Sequence, residues 1–368
     1  MKILYVTTIS LTMNSFFKPH IRMLVREGHT VEIACNSAEL ALDGLYDELG
    51  CVSHQIDFSR SPLSRGNLRA YGQLKKVIEA GGYDIVHCHT PNASVVTRLV
   101  CRRFRRKSGL RVFYTAHGFH FYRGAPKLNW MVYYPVERLC ARFTDKLITI
   151  NKEDYELAKA RFKAGEICYV PGVGVDLSRF RDVRVDRAAK RREIGVPEDA
   201  VLLFSVGELN ENKNHQVIIR ALARLADPNV HYAIAGVGDK RDELLSLAAE
   251  LGVAEQVHLL GYRKDIPELN GTADVFCFPS YREGLSVSLI EVMACGLPVL
   301  CSRIRGNTDL ICADGGYLFH PYDVNDCYQG LCSILCGDLR KMGEVNRECA
   351  PRYSLDAIID EMKSIYES

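Results

Sequence analysis

Short apolar runs alternate with amphipathic stretches along nearly the whole chain, and that rhythm restricts the fold more than any other feature. Residues 2–7 are apolar and end in small polar residues, as a strand entering a loop does. Further strand-like runs cover 30–35, 51–56, 84–88, 111–115 and 146–150. Helical patterns at 15–27, 40–49, 68–80, 93–107, 128–143 and 152–162 separate them, and Gly28 is a stop signal for the first. Strands and helices in such alternation predict a parallel sheet covered on both faces. The run P-G-V-G-V-D at 171–176 closes this half, and the charged stretch 182–190 reads as an inter-domain link. The alternation restarts with strands at 201–206, 230–235, 257–259, 275–278, 299–301 and 317–319, with helices at 214–225 and 240–251 between the first of them. The tail 355–366 is helical by pattern.

A chain of 368 residues is long for a single core, so two domains are expected. With 47% hydrophobic and 25% charged residues, its composition is that of a water-soluble globular protein. A formal net charge of +2 gives no sign of a nucleic-acid partner. No apolar run approaches the ~20 residues that cross a bilayer. The start M-K-I-L-Y-V-T-T reads as a strand rather than a signal peptide. The 14 cysteines lie mostly inside apolar runs and include no C-x-x-C pair. That argues for buried thiols in a reducing cytoplasm rather than a disulfide framework or a zinc site.

The densest chemistry lies at 280–301, S-Y-R-E-G-L-S-V-S-L-I-E-V-M-A-C-G-L-P-V-L-C. It predicts a strand, a loop, and a helix that starts near Ser286 and stops at Cys295, before Gly296 and Pro298. The helix is apolar almost all round and therefore buried, with Ser288 and Glu291 as its one polar stripe. A carboxylate there must find partners or face a cleft. Free N–H groups at the helix start suit an anion or sugar hydroxyls. Residues alone also allow an ordinary buried helix whose Glu291 bonds a neighbouring loop.

With its paired glutamates followed by A-C-G-L-P-V-L, the stretch resembles the signature of retaining, nucleotide-sugar-dependent glycosyltransferases of family 4. The resemblance covers essentially the whole chain. It implies the α/β GT-B fold: two doubly wound, Rossmann-like parallel-sheet domains facing across a cleft. An acceptor domain would span 1–182, with helix 353–368 packing back on it, and a nucleotide-sugar domain 190–352. By the same resemblance Glu283 touches donor-sugar hydroxyls and Glu291 binds the ribose hydroxyls. The amides of Gly284, Leu285 and Ser286 lie beside the sugar and diphosphate. The nucleotide-sugar is a substrate, and no cofactor is expected.

Other stretches fit around that signature. In V-G-E-L-N-E-N-K-N-H at 206–215, Gly207 permits close backbone approach and Lys213 is placed to balance a diphosphate. The family usually carries an arginine directly after that glycine; here the residue is Glu208. A second positive charge must come from Arg282, from Arg263 or from helix amides. In T-A-H-G-F-H-F-Y at 115–122, His117 matches the family histidine that lies against the donor sugar, and His120 follows three residues on. Catalysis is thus expected to rest on His117, Lys213 and Glu283. The turn A-G-V-G-D at 235–239 is either a phosphate turn or merely a tight one. Around Tyr262 and Arg263 the family holds the base, and Arg263 reads equally as a surface charge. The first loop lacks the family's glycine pair and carries Met13, Asn14 and Ser15 instead. Asn14 and Ser15, with Arg60 and Arg65 of the loop R-S-P-L-S-R, are expected to serve the acceptor.

No D-x-D triplet or ligand-spaced His/Asp cluster occurs, so no metal is expected. T-A-H-G-F-H-F-Y-R-G-A-P and N-K-E-D-Y resemble enzymes of bacterial capsule, exopolysaccharide and O-antigen assembly. That implies a UDP-sugar donor carrying a hexose or N-acetylhexosamine, and an undecaprenyl-diphosphate-linked saccharide acceptor. The protein would then work in the cytoplasm, peripherally at the inner membrane face. The basic run R-L-V-C-R-R-F-R-R-K at 98–107 is the segment expected to meet that membrane. Two rivals share parts of this pattern: a UDP-sugar 2-epimerase of the same fold, and a two-domain solute-binding protein.

Overall fold

The computed structural model describes residues 1–61 and 64–368. They form two compact units: Met1–Gly174 with Leu355–Ser368, and Val175–Ser354. The chain therefore passes from one unit to the other at Gly174/Val175 and again at Ser354/Leu355. The charged stretch expected to be a link lies inside the second unit. There Asp186 caps the helix Arg187–Glu193, whose Arg191 is buried against Asp274 at 2.7 Å.

The first unit holds seven parallel strands: β1 (Lys2–Ile9), β2 (Thr30–Asn36), β3 (Val52–Gln55), β4 (Ile85–His89), β5 (Arg111–Ala116), β6 (Lys146–Thr149) and β7 (Glu166–Tyr169). Their order is β3-β2-β1-β4-β5-β6-β7. Tyr5 of β1 lies beside Ile33 of β2 and His87 of β4. The order reverses between β1 and β4, so the loops after these two strands diverge and open a crevice at their carboxyl ends.

The expected helix 15–27 is broken. A π-helical turn, Met13–Phe17, precedes the α-helix Lys18–Arg26. The expected helix 93–107 is two pieces, Pro91–Cys101 and Phe104–Ser108. The last helix, Leu355–Glu367, belongs to this unit; Tyr366 hydrogen-bonds His87, and Lys146 Nζ donates to Ile365 O at 2.8 Å.

The second unit holds β8 (Val201–Val206), β9 (Val230–Ala235), β10 (Val257–Gly261), β11 (Val275–Phe278), β12 (Val299–Ser302) and β13 (Gly316–Phe319). All pair in parallel, in the order β10-β9-β8-β11-β12-β13. Its reversal falls between β8 and β11, the strands that lead into Lys213 and Glu283. Val275, Phe276 and Cys277 are fully buried, as a central strand covered on both faces requires.

Candidate functional site

The site of the second unit is built from the loops that follow β8 and β11. Asn210 caps the short turn Glu211–Lys213, its Oδ1 accepting from Lys213 N at 3.1 Å. Asn214 adopts a left-handed conformation (φ 50°), and its buried amide donates to Pro279 O at 3.1 Å and Pro321 O at 2.9 Å. Asn212 O accepts from Tyr281 N at 2.8 Å, and Asn212 Nδ2 donates to Arg282 O at 3.1 Å. Asn212 and Asn214 thus tie the two loops together, while Asn210 shapes the turn that carries Lys213. The stem of Lys213 crosses Gly207, where a Cβ would come within 3.2 Å of Lys213 Cε. Lys213 Nζ ends 2.8 Å from Glu283 Oε1 and 4.9 Å above the centre of the Phe278 ring.

The signature helix is Val287–Cys295, with Ser286 as its N-cap and Gly296 closing it in a left-handed conformation. The Ser286 hydroxyl accepts from Leu289 N at 3.3 Å. Among the described residues, the N–H groups of Gly284, Leu285, Ser286 and Val287 have no acceptor. They point the positive end of the helix at the space beside Glu283. Leu289, Ile290, Val292, Met293 and Ala294 are buried, which fixes the helix in place. Glu291 is half-buried and hydrogen-bonds no described residue. Burial pushes its carboxyl up to about 7, against a weaker downward pull from Arg179. A carboxyl held there can take up or release a proton near neutrality, and as a carboxylate it can accept hydroxyl donors.

The sequence did not single out Arg305. It is 7% exposed, and its Nε donates to Glu283 O at 3.1 Å. Behind it Gly306 (φ +78°) lies so close that a Cβ would stand 2.2 Å from Gly284 O. The signal available was R-I-R-G directly after β12, a cation and a left-handed glycine at a strand end. Arg263 is engaged elsewhere: Nε donates to Asp265 Oδ1 at 2.7 Å, and Nη2 reaches Glu193 and Asp265. Arg282 is exposed and forms no ion pair among the described residues. Glu208 is exposed too, its Oε2 accepting from Asn210 Nδ2 at 2.8 Å. The glycines of 235–239 serve backbone packing: a Cβ on Gly236 would lie 1.8 Å from Gly207 O, and one on Gly238 2.3 Å from Leu209 O.

In the first unit, His117 stands just past the end of β5, half-buried, with Nε2 3.1 Å from His89 Nδ1. Burial lowers it to about 4, with a smaller contribution from His20, so it is uncharged at neutral pH. His120 stacks on Tyr133 with ring centres 4.7 Å apart. Two cavities lie at the carboxyl ends of the strands, the larger beside β1 and β2 and the smaller at the β1/β4 reversal. One of about 560 Å³ is lined by Ser10, Asn36, Asp57 and Arg60, and one of about 280 Å³ by Thr8, Arg60, Thr90, Asn92, His120 and Tyr133. Arg60 reaches both. Asn14 instead anchors a loop, donating to Ala41 O at 2.9 Å and accepting from Asp43 N at 3.0 Å. Ser15 and Arg65 are exposed and line neither cavity. Pro62 and Leu63 of the same loop lie outside the described residues.

The basic run 98–107 is not one continuous amphipathic helix: it divides between Pro91–Cys101 and Phe104–Ser108. Arg98 is fully buried, its Nη1 2.8 Å from Glu137 Oε2 and its guanidinium 4.1 Å above the Tyr114 ring. Val100 and Phe104 pack into the core, which leaves half-buried Leu99 as the remaining apolar residue of the run.

Residues 20–179 match the model of glycosyltransferase family 4, and residues 186–348 that of glycosyl transferases group 1. EpsD of Bacillus subtilis, provisionally named a glycosyltransferase, is 37% identical over all of this chain and 96% of its own length. The chain belongs to glycosyltransferase family 4. Another relative of this family 4 enzyme is the Escherichia coli UDP-Gal:alpha-D-GlcNAc-diphosphoundecaprenol alpha-1,3-galactosyltransferase. It is 26% identical, with 82% of this chain and 79% of that protein covered. Among solved structures, Anabaena HepE, crystallised with UDP and glucose, matches with a TM-score of 0.77 at 19% identity, covering 100% of this chain and 99% of its own. WaaG, a glycosyltransferase involved in lipopolysaccharide biosynthesis, matches with a TM-score of 0.73 at 21% identity over 99% of both chains. These likenesses identify the fold of the family 4 enzyme as GT-B.

Proposed function

We propose that this family 4 enzyme moves a hexose or N-acetylhexosamine from a UDP-sugar to an undecaprenyl-diphosphate-linked saccharide, with retention and without a metal ion or cofactor. One observation carries the reading: an ammonium, Lys213, sits 2.8 Å from Glu283 at the start of a helix whose first N–H groups lack acceptors. A nucleoside diphosphate brings negative charge to those donors, and its sugar brings hydroxyls to Glu283. Lys213 and the helix amides then stabilise the departing diphosphate, which is chiefly electrostatic catalysis. The leaving oxygen can accept the proton of an acceptor hydroxyl attacking from the same face, so no protein nucleophile is required. Glu291 takes the ribose hydroxyls, and Arg305 braces the Glu283 backbone. The family resemblance assigns His117 to the donor sugar, and burial keeps its imidazole neutral.

The acceptor class is supported by the name of the Escherichia coli relative, a galactosyltransferase acting on a diphosphoundecaprenol-linked sugar. The α linkage in that name is the outcome that retention gives from an α-linked UDP-sugar. In the first unit, Arg60 beside two cavities is the cation placed for an acceptor phosphate. Such an acceptor places the enzyme peripherally at the cytoplasmic face of the membrane. Incubation with a panel of nucleotide-sugars and a short-chain polyprenyl-diphosphate saccharide, read by mass spectrometry with and without EDTA, tests the reading. An α-linked product formed equally well in EDTA supports it. Donor turnover without acceptor would point to the epimerase instead.

A further inference from the structure

Helix Lys127–Ala141 turns an uncovered apolar face outward. Leu128 is 67% exposed, Met131 74%, Val132 49%, Val136 39% and Leu139 49%. With exposed Pro135 they recur at helical spacing, so they form one continuous stripe. The opposite side is anchored: Glu137 and Cys140 are buried, and Trp130 Nε1 donates to Tyr122 O at 3.2 Å. The stripe is therefore a fixed feature of the folded unit, not a frayed segment.

The chain around it is strongly basic. Between Asp84 and Asp145 the chain carries 11 Lys and Arg and a single acid, Glu137. That acid is buried against Arg98, at 2.8 Å, and shows no charge to the outside. Lys127, Arg138 and Arg142 are exposed at the border of the stripe. Arg105 Nη1 donates to Arg142 O at 3.2 Å, which brings the neighbouring short helix Phe104–Ser108, with exposed Arg106 and Lys107, against the same end. An apolar stripe with a mainly basic border is what a helix lying in the headgroup region of an anionic membrane presents.

We infer that the helix Lys127–Ala141 docks on an anionic lipid surface, with Leu128, Met131 and Leu139 entering the acyl boundary and the basic border meeting lipid phosphates. The inference deepens the reading of a lipid-linked acceptor by naming the face that meets the bilayer. Each basic residue held near such a surface strengthens binding about fivefold.

Full-length protein is sedimented with acceptor-free vesicles of phosphatidylcholine alone or mixed with phosphatidylglycerol. The wild type should sediment with the anionic vesicles at least tenfold better than with neutral ones. Leu128→Ser with Met131→Ser and Leu139→Ser should lose that binding at least tenfold, with the thermal midpoint and transfer to a short-chain acceptor unchanged. Lys127→Gln with Arg138→Gln should weaken it while leaving the apolar face intact. Equal sedimentation of the triple variant and the wild type overturns the inference, as does a wild type that stays in the supernatant. So does a wild-type dimer that the triple substitution converts to monomer, because the stripe would then belong to a second copy. Failure to glycosylate the short-chain acceptor, with vesicle binding retained, counts against the acceptor reading and leaves the docking face standing.

Discussion

Lys213 and Glu283 neutralise one another at 2.8 Å, each projecting from a loop that the asparagines at 212 and 214 hold against the other. Both side chains are about one-fifth exposed, so neither is fully desolvated and the pair can exchange partners with a ligand. A diphosphate offers Lys213 a stronger partner than one carboxylate, and sugar hydroxyls offer Glu283 donors in return.

If Lys213 serves mainly the leaving diphosphate, its removal costs most in the transition state. Lys213→Ala should lower kcat by about 10²–10³-fold while donor KM changes only a few-fold. Glu283→Gln should also lower kcat, and the double variant should fall well short of the product of the two losses, since each single change already breaks the pair. Steady-state kinetics on the three variants checks this. Wild-type turnover in Lys213→Ala removes the lysine from the mechanism.

With the proposed ribose role, Glu291 should tie donor binding to pH. Its carboxyl is raised to about 7 by burial, and ribose hydroxyls are best accepted by the carboxylate. Donor binding should therefore release protons near pH 7, and UDP affinity should fall as pH drops from about 8 to 6. Titration calorimetry in two buffers of different ionisation enthalpy measures the protons released. Glu291→Gln should bind UDP more weakly at pH 8 and show no proton release.

Much of this site was legible because its signals are local. The Ser286 cap and the Gly296 stop sit in the helix they bound, and Lys213 and Glu283 each follow a strand visible as an apolar run. Features set by distant partners were not. Arg98 reads as part of a basic surface until the fold brings Glu137 of another helix beneath it. The π-helical turn Met13–Phe17 has no periodic signature that separates it from a longer helix. The asparagine at 14 looked like a ligand group, yet its amide is spent on the loop at Ala41 and Asp43. Arg263 has a neighbour, Asp265, visible in sequence, but Glu193 completes its neutralisation from a distant helix.

The G-x-G turn separates a packing role from a phosphate-binding one. A methyl on Gly236 would stand 1.8 Å from Gly207 O, a backbone atom, in the strand-end loop over which Lys213 lies. Gly236→Ala should destabilise the protein by about 1–3 kcal/mol, as overpacking does. Urea unfolding should show this, with donor binding lost in parallel as the loop shifts. A phosphate-binding turn would instead lose donor affinity at unchanged stability.

Acid should weaken the first unit through its histidines. His87 Nε2 lies 2.8 Å from Thr115 Oγ1, His89 meets His117, and His20 Nε2 donates to Val173 O at 3.0 Å. Burial lowers all four, His87 and His89 well below the usual histidine value and His117 to about 4. Because the unfolded chain takes up these protons near pH 6.5 and the folded one does not, their effect is absent above that pH. Stability is then lost as pH falls from about 6.5 toward 4. Glu361 of the same unit opposes this, since burial raises its carboxyl and it holds a proton more readily in the folded state, but it is one group against these four imidazoles. Urea midpoints should therefore be flat from pH 8 to 7 and fall steadily below 6.5. Replacing His20 with Gln, which keeps a side-chain donor for Val173 O without a titrating ring, should make that fall shallower by close to one proton's slope. A wild-type midpoint that rises on acidification would mean the imidazoles gain protons more readily in the folded state than their burial allows.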